Sequence, residues 1–318
     1  MKLIYNPVFL EHDTGMHPEN KKRLTSLGDL PVTNLESGEQ FLELVHSPDY
    51  IQKVKQVSEA GGGHIDAETV VSSGSYEAAI YAVGATIMAS ETGDFALTRP
   101  PGHHAYIDRS SGFCIFNNIA IATQYHVNQG KKVLIFDFDG HLGCGTMKFF
   151  YETDQVLYWS LHQYPAFPGG GSAEEIGAGK GEGYTINVPL PAGSGDEIYM
   201  DAIENFLPIA KKFNPDIVAV SAGFDSHQYD LLLDLRLSLN AFYKTGFILS
   251  ENFDNIFATL EGGYNIEMFP KCLYNFLDGI NQKKMKFEER GTDSMIQTYY
   301  EYEGRKALLE QNLRKFWK

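Results

Sequence analysis

Short, wholly apolar runs recur along the chain and alternate with segments whose apolar residues repeat at helical spacing. Residues 133–136 and 217–220 are runs of the first kind, and residues 256–260 differ only by Thr259. Such runs are typical of strands buried on both faces of a parallel sheet. Residues 75–91 are of the second kind, with small residues between the apolar positions. The alternation predicts a single α/β domain over residues 1–318, built on a mainly parallel central sheet flanked by helices.

The predicted elements follow from these runs and from the residues that end them. Ser47 before Pro48 is a helix start signal, and we assign the neighbouring His46 to that cap. Three successive glycines at residues 61–63 predict a loop or turn. Strands are predicted at residues 2–5, 95–97, 133–136, 155–160, 184–189, 217–220 and 256–260, and helices at 21–27, 39–45, 48–57, 75–91, 118–129, 196–213 and 239–253.

The composition indicates which partners and which cellular compartment the protein is suited to. The 41 acidic residues outnumber the 26 basic ones and give a formal net charge of -15, which argues against nucleic-acid and anionic membrane partners and favours cationic ligands. Three widely spaced cysteines cannot form a disulfide framework and indicate a reducing compartment. The N-terminal apolar segment is too short for a signal peptide, and no stretch approaches a membrane span. We therefore expect a cytoplasmic protein, and leave open whether it forms a homo-oligomer.

Polar side chains follow the carboxyl ends of five predicted strands. In parallel α/β sheets, ligands bind outside these ends, so we expect the clusters to gather at one edge of the sheet. The segment from residue 164 to residue 183 is rich in proline and glycine, and loops of this length are usually functional. The clusters are His103 and His104, Asp139 and His141, residues 160–162, Asp225, and Tyr264.

Three of these side chains suit a metal ion. Asp139 and His141 are two residues apart, so in extended backbone both can face one point. A carboxylate oxygen and an imidazole nitrogen suit zinc, with Asp225 as a third ligand and a fourth position left for water or substrate. A competing interpretation is that Asp137 and Asp139 only cap the amides of a glycine-rich turn.

The remaining polar residues would complete a hydrolytic site. His103 and His104 lie on a loop made rigid by prolines, where they could take a proton from water and return it to a leaving amine. Asp137 could orient one of these histidines, and Tyr264 could donate a hydrogen bond to the oxyanion of a tetrahedral intermediate. The residues therefore point to metal-assisted hydrolysis of an amide.

Five motifs occur in order along the chain: Arg99-Pro-Pro-Gly-His-His-Ala105, Gly112-Phe-Cys-Ile-Phe-Asn-Asn118, Asp137-Phe-Asp-Gly-His141, Ser221-Ala-Gly-Phe-Asp225 and Leu260-Glu-Gly-Gly-Tyr264. Together they resemble the zinc-dependent histone deacetylase family, most closely its bacterial and archaeal deacetylase-like amidohydrolases and acetylpolyamine amidohydrolases. The resemblance begins at His17-Pro-Glu19 and ends at Tyr264. It implies an arginase/deacetylase fold, with helices on both faces of the sheet. It also implies removal of an acetyl or short acyl group from a cationic amine such as acetyl-lysine or an acetylpolyamine.

The resemblance implies a role for each residue of the predicted site. One zinc ion per chain would be bound by Asp139, His141 and Asp225. His104 would be the general base and acid. His103, paired with Asp137, would be the electrostatic partner of His104. Tyr264 would polarise the acetyl carbonyl.

The resemblance also implies a substrate tunnel and structural ions. Phe113 and Phe167, with Gly112, match the tunnel walls, which suit the aliphatic stem of lysine or a polyamine. Potassium or sodium ions would be held largely by backbone carbonyls. One ion site would use Asp137, Asp139, His141, Ser160 and Leu161, and the other Phe150, Thr153, Val156 and Tyr184.

The chain departs from the family pattern beside the predicted zinc ligands. The family usually has a second histidine and then, two residues later, an Asn or Asp that supports the second histidine of the dyad. Here Leu142 and Cys144 occupy those positions, so His104 lacks its expected partner. A thiol is a weak hydrogen-bonding group, and we expect reduced or specialised activity.

A second departure follows the third ligand. Asp230 matches an acidic position of the family, but the proline and glycine that usually follow it are absent. Leu231 and Leu233 occupy this part of the loop instead. We therefore expect the loop after Asp225 to have a different shape.

Two alternatives remain open from the sequence. One is a ureohydrolase-like hydrolase with two manganese ions. That class has an aspartate two residues after the histidine, and the residue at this position here, Gly143, argues against it. The other is a non-catalytic protein that binds acetylated amines, which the residues Leu142 and Cys144 would suit. The partner would be an acetylated small molecule or an acetyl-lysine protein.

Overall fold

The computed structural model describes residues 1–318 and contains a seven-stranded parallel sheet flanked by helices. The predicted fold class is confirmed. The strands of the sheet are β1 (Leu3–Ile4), β4 (Phe95–Ala96), β5 (Val133–Asp137), β6 (Val156–Gln163), β7 (Thr185–Leu190), β8 (Ile217–Ala222) and β9 (Ile256–Leu260). Their order across the sheet is β1-β4-β9-β8-β5-β6-β7, so β5 lies at an interior position with β8 and β6 as its neighbours.

The helices pack against this sheet and against each other. None of them is both long enough and apolar enough to cross a membrane. They are α1 (Lys22–Thr25), α2 (Pro48–Glu59), α3 (Ser75–Thr92), α4 (Asn118–Val127), α5 (Cys144–Phe150), α6 (Asp196–Phe213), α7 (Leu239–Asn252), α8 (Phe269–Ile280) and α9 (Ile296–Leu313).

The wholly apolar runs form the central strands because both faces of the sheet are covered. Every residue of β5 is buried, as the uninterrupted apolar run predicts. In the register of the parallel strands, Asp137 at the end of β5 lies beside Ser160 of β6 and Ser221 of β8. The carboxyl ends of the central strands therefore meet at one edge, where the predicted polar clusters lie.

Several local predictions were wrong. The glycine-rich segment is not a simple turn, because β2 (Gly62–His64) pairs antiparallel with β3 (Val70–Ser72). Gly62 has a φ of 103°, and a Cβ atom there would lie 2.5 Å from the Val71 carbonyl oxygen, so the hairpin needs glycine at this position. The predicted helix at 39–45 is a 3-10 helix, Glu39–Leu44, and α1 is shorter than predicted.

Candidate active site

Asp139, His141 and Asp225 lie together at the carboxyl edge of the sheet. One ligand atom from each lies within 4.8 Å of the others. The Nδ1 atom of His141 is 2.8 Å from Asp225 Oδ2 and 3.2 Å from Asp139 Oδ1. All three side chains are buried, so this is a compact cluster of two carboxylates and one imidazole.

Backbone amides hold the two carboxylates in place. Gly140 donates its N–H to Asp225 Oδ1 at 2.7 Å, and Gly262 donates its N–H to Asp139 Oδ2 at 2.7 Å. A Cβ atom on Gly262 would lie 2.4 Å from an Asp225 oxygen, so only glycine lets the chain from β9 approach the cluster this closely.

The electrostatics of the cluster favour a bound cation. Burial, followed by repulsion from Asp139, raises the pKa of Asp225 to about 7. Burial lowers the pKa of His141, but the two carboxylates outweigh it and raise that pKa to about 10. Carboxylate oxygens and an imidazole nitrogen that converge in this way are the donors a divalent metal such as zinc would use. The residues therefore fit a metal ion.

His103 lies between two carboxylates behind this cluster. Its Nδ1 atom is 3.2 Å from Asp137 Oδ2, and its Nε2 atom is 3.8 Å from Asp139 Oδ1. Tyr158 on β6 donates its hydroxyl hydrogen to the same Asp137 oxygen at 3.0 Å. Burial opposes protonation of His103, but Asp139, Asp137 and Glu261 together raise its pKa to about 10.

His104 has the opposite electrostatic environment although it is the next residue. Its ring centroid is 4.0 Å from that of His103. Burial and the two neighbouring imidazoles, His103 and His141, lower the pKa of His104 well below its usual value. Adjacent groups whose pKa values are pushed apart are suited to separate acid and base roles.

Cys144 begins α5 beside this pair. Its Sγ atom lies 3.5 Å from His104 Nδ1. The thiol therefore contacts the histidine whose expected Asn or Asp partner is missing from the sequence. Cys144 is buried. The side chain of His104 also lines the cavity described below.

The loop that carries both histidines is anchored by side chains to which the sequence analysis gave no role in the site. Glu261 Oε2 accepts the N–H groups of Gly102 at 2.7 Å and His103 at 3.1 Å. His46, which we assigned to a helix cap, instead faces the Tyr106 carbonyl through Nδ1 and accepts the Asn117 N–H at 2.9 Å through Nε2. The cap prediction for His46 was therefore wrong, because Ser47 itself accepts the capping N–H.

A cavity of about 190 Å³ leads from the surface to these groups. Gly112 leaves room for it, since a Cβ atom there would lie 2.5 Å from the His104 ring and 2.8 Å from Phe167. Phe167 and Leu232 are partly exposed at its mouth, and the buried His104, His141 and Tyr264 form its inner end. Its lining residues are Glu68, His104, Gly112, Phe113, His141, Phe167, Leu232 and Tyr264.

Tyr264 is held at this cavity through its backbone. Asp230 Oδ2 accepts the Tyr264 N–H at 2.6 Å and the Asn265 N–H at 3.0 Å. Arg23 donates to the Gly263 carbonyl at 2.7 Å, and its guanidinium lies 5.1 Å from the centre of the Tyr264 ring. Burial raises the pKa of Tyr264 well above its usual value, so the phenol stays protonated and can donate a hydrogen bond.

The sites predicted for potassium or sodium remain predictions. Asp137 and Ser160 lie side by side in the register of β5 and β6. In the second set, Thr153 donates its N–H to the Phe150 carbonyl, and the Tyr184 carbonyl accepts the N–H of Tyr158. The residues of each predicted ion site thus come from segments that lie next to each other. In the second site, the carbonyls of Phe150 and Tyr184 already accept backbone hydrogen bonds.

Comparison with known proteins identifies the family. The histone deacetylase domain profile matches residues 15–280. A probable deacetylase of Archaeoglobus fulgidus is 35% identical over 293 residues, covering 83% of this chain and 81% of that protein. A histone deacetylase-like amidohydrolase of Pseudomonas aeruginosa is 34% identical over 279 residues, covering 80% and 73%. The crystal structure of the HDA15 HD domain superposes with a TM-score of 0.89 at 28% identity, covering 99% of this chain and 94% of that one. The chain therefore belongs to the histone deacetylase family.

Proposed function

We propose that this protein is a zinc-dependent amidohydrolase that removes an acetyl or short acyl group from an N-acylated cationic amine. The observation that supports the proposal most strongly is the arrangement at the inner end of the cavity. His141 lines the cavity there with His104 and Tyr264, Asp139 and Asp225 lie behind His141, and Phe113 and Phe167 form part of the cavity walls. An aliphatic stem fits such walls, and a carbonyl at its end would reach the polar groups.

Zinc held by Asp139, His141 and Asp225 would supply Lewis acidity, which lowers the pKa of water and polarises a carbonyl. His104 is neutral at physiological pH because its pKa is lowered, so its free Nε2 can accept a proton from the attacking water. The same atom can return that proton to the leaving amine. His103 stays protonated next to Asp137 and stabilises negative charge as it develops.

Tyr264 supplies the second stabilising contact. Its hydroxyl stays protonated, its backbone is fixed by Asp230, and its side chain lines the cavity together with His104 and His141. A phenol in this place can donate a hydrogen bond to the oxygen of the scissile carbonyl as that oxygen gains charge.

The departures at Leu142 and Cys144 modify this proposal. Leu142 is buried and approaches Gly171, where an added Cβ atom would lie 3.0 Å from Leu142 Cδ2. It therefore packs beneath the loop that carries Phe167. Cys144 gives His104 a weak partner, so we propose an enzyme with a slower proton-transfer step.

A panel assay of the zinc-loaded protein tests the proposed function. We expect turnover among acetyl-lysine peptides, acetylputrescine, acetylspermidine and short-chain esters, with one zinc per chain. Binding of acetylated amines without turnover would instead favour the non-catalytic alternative. Two manganese ions per chain and no deacetylation would favour the ureohydrolase-like alternative.

The cellular setting is also a proposal. The three widely spaced cysteines support a reducing, cytoplasmic compartment. The formal net charge of -15 supports a cationic acetylated partner and disfavours nucleic-acid and membrane partners. Sedimentation would determine whether the chain forms a homo-oligomer.

A further inference from the structure

Helix α9 lies beyond residues 15–280, the part of the chain that the family profile matches. Two of its side chains bind the same carboxylate oxygen on α6. Tyr302 donates its hydroxyl hydrogen to Asp201 Oδ2 at 2.6 Å, and Lys306 Nζ donates to that oxygen at 2.8 Å. Because Tyr302 is also fully buried, α9 is firmly attached to the domain.

The same helix and the residues after it bind the glycine-rich segment 164–183. Three side chains donate hydrogen bonds to backbone carbonyls at the start, the middle and the end of this segment. The pairs are Arg305 Nη1 with Tyr164 at 2.6 Å, Asn312 Nδ2 with Ala173 at 3.0 Å, and Trp317 Nε1 with Gly183 at 2.6 Å. The C-terminal helix therefore supports the segment that carries the cavity residue Phe167.

Arg305 makes the contact that lies closest to Phe167 along the chain. Its Nη1 atom also donates to the Pro189 carbonyl at 3.2 Å, and its guanidinium lies 5.4 Å from the centre of the Tyr164 ring. Its Nη2 atom pairs with Glu301 one turn earlier in α9. The planar guanidinium thus binds two carbonyls and a carboxylate at once, which the ammonium group of a lysine does less well.

Tyr164 connects Arg305 to the active site. It follows the last residue of β6, Gln163, whose N–H donates to the Gly140 carbonyl at 2.8 Å. Gly140 belongs to the segment that carries two of the proposed metal ligands. The carbonyl that Arg305 holds therefore begins the loop at a point where β6 is already bound to the metal-ligand segment.

The loop of residues 164–171 is held at its two ends. The Tyr164 carbonyl accepts from Arg305, and the Gly171 carbonyl lies 2.9 Å from His162 Nε2. Phe167 lies between these ends, and its own backbone makes no hydrogen bond. Its ring centre is 5.3 Å from that of His104, so a shift of the loop would move the cavity wall relative to the proposed general base.

We propose that Arg305 is a positioning residue of this enzyme: by holding the Tyr164 carbonyl, it fixes the loop that places Phe167 in the wall of the acyl-lysine cavity. The inference rests on the proposed function, in which Phe167 contacts the aliphatic stem of the substrate. Arg305 does not line the cavity, so it acts through Phe167 alone. A contact with the stem is made equally before and during reaction, and its loss raises KM more than it lowers kcat.

The experiment measures steady-state deacetylation of an acetyl-lysine peptide by zinc-loaded wild-type protein, Arg305→Met and Arg314→Met. Methionine keeps an unbranched apolar stem and removes every donor. Arg314 is the matched control, because it is exposed and directly follows α9. We expect Arg305→Met to raise KM roughly fivefold with kcat within about twofold of the wild type, and Arg314→Met to behave as the wild type.

A double-mutant cycle separates positioning from a general loss of stability. Phe167→Ala should raise KM by itself, and Arg305→Met should add no further rise in that background, because both changes act through the same contact. Amide hydrogen exchange of residues 164–171 should be faster in Arg305→Met and unchanged in Arg314→Met. Arg305→Lys keeps one donor and should show a smaller rise in KM with the same dependence on Phe167; it replaces Arg305→Met if that variant does not fold.

Two results would overturn the inference. One is a wild-type KM for Arg305→Met. The other is a rise in KM that is equally large with and without the Phe167 ring, which would make Arg305 a residue of general structural importance. In both cases the wild type still turns over the peptide, so the proposed function stands. A zinc-loaded wild type that turns over no acetylated substrate defeats the proposed function itself.

Discussion

The Sγ atom of Cys144 lies 3.5 Å from the Nδ1 atom of His104, the residue that we propose to transfer the proton. Both side chains are buried, so water cannot replace the partner that the thiol fails to provide. The orientation of His104 and the basicity of its other nitrogen therefore depend partly on a weak contact, beside a backbone hydrogen bond to Leu142.

Cys144→Asn should increase activity. An amide oxygen can accept a hydrogen bond from His104 Nδ1 and orient Nε2 toward the reacting water, so we expect kcat to rise by about tenfold with little change in KM. Steady-state deacetylation of an acetyl-lysine peptide is the measurement. Cys144→Ala is the control and should retain the wild-type rate. An unchanged rate for Cys144→Asn would show that Cys144 does not limit the dyad.

Tyr264→Phe should abolish most of the activity without disturbing the site. The hydroxyl stabilises charge that appears only during reaction, so we expect kcat to fall by about 10²- to 10³-fold while KM changes little. Zinc content and thermal stability should remain those of the wild type, because Tyr264 is fixed through its backbone N–H. A variant that turns over substrate at the wild-type rate would remove Tyr264 from the mechanism.

Glu261→Gln should show the effect of the Glu261 negative charge apart from its hydrogen bonds to the histidine loop. Glutamine can still accept the N–H groups of Gly102 and His103, but it removes the negative charge that helps to keep His103 protonated. We expect kcat to fall several-fold and the pH-rate profile to move toward lower pH.

The same variant should be more stable at high pH. Burial is the largest influence on Glu261 and raises its pKa to about 7, above the ordinary value of 4.5. The stability that this group contributes is therefore present at low pH and is lost as the pH rises through about 7, up to about 3 kcal/mol in all. Denaturant unfolding at pH 8 should show Glu261→Gln to be more stable than the wild type. Glu261→Ala, which loses the acceptor, should be less stable, and equal stability of all three proteins would contradict the assignment.

His46 should make the fold sensitive to acid. Burial lowers its pKa from 6.5 to about 4, so the neutral ring is favoured in the folded state and stability falls as the pH drops through this range. The difference corresponds to about 3 kcal/mol. Denaturant unfolding of His46→Gln between pH 7 and pH 4.5 should show a smaller loss than the wild type, although the variant is less stable at pH 7. Parallel pH dependences of the two proteins would assign the acid sensitivity to another group.

The strands and the location of the site could be predicted from the sequence for simple physical reasons. A run such as 133–136 has no polar face, so it must be covered on both sides, and parallel strands bring their carboxyl ends together. The side chains of His103, Asp139 and Asp225 are therefore close in space although they are far apart in the chain.

The supporting contacts could not be predicted in the same way. Glu261 and Gly102 are separated by 159 residues, and their hydrogen bond depends on how two loops meet above the sheet. Tyr158 looks like an ordinary strand residue until the register of β6 places its hydroxyl at Asp137. The hairpin of β2 and β3 was missed because glycine favours turns locally, whereas here it permits close pairing.

The proposed mechanism requires one zinc ion, held by Asp139, His141 and Asp225, for deacetylation. The direct measurement is a titration of metal-free protein with zinc while the turnover of an acetyl-lysine peptide is followed. Activity should be absent at the start, rise in proportion to zinc and level off at one equivalent per chain, and Asp225→Ala should show no such rise. Full activity in the metal-free protein, or a plateau at two equivalents, would contradict the account.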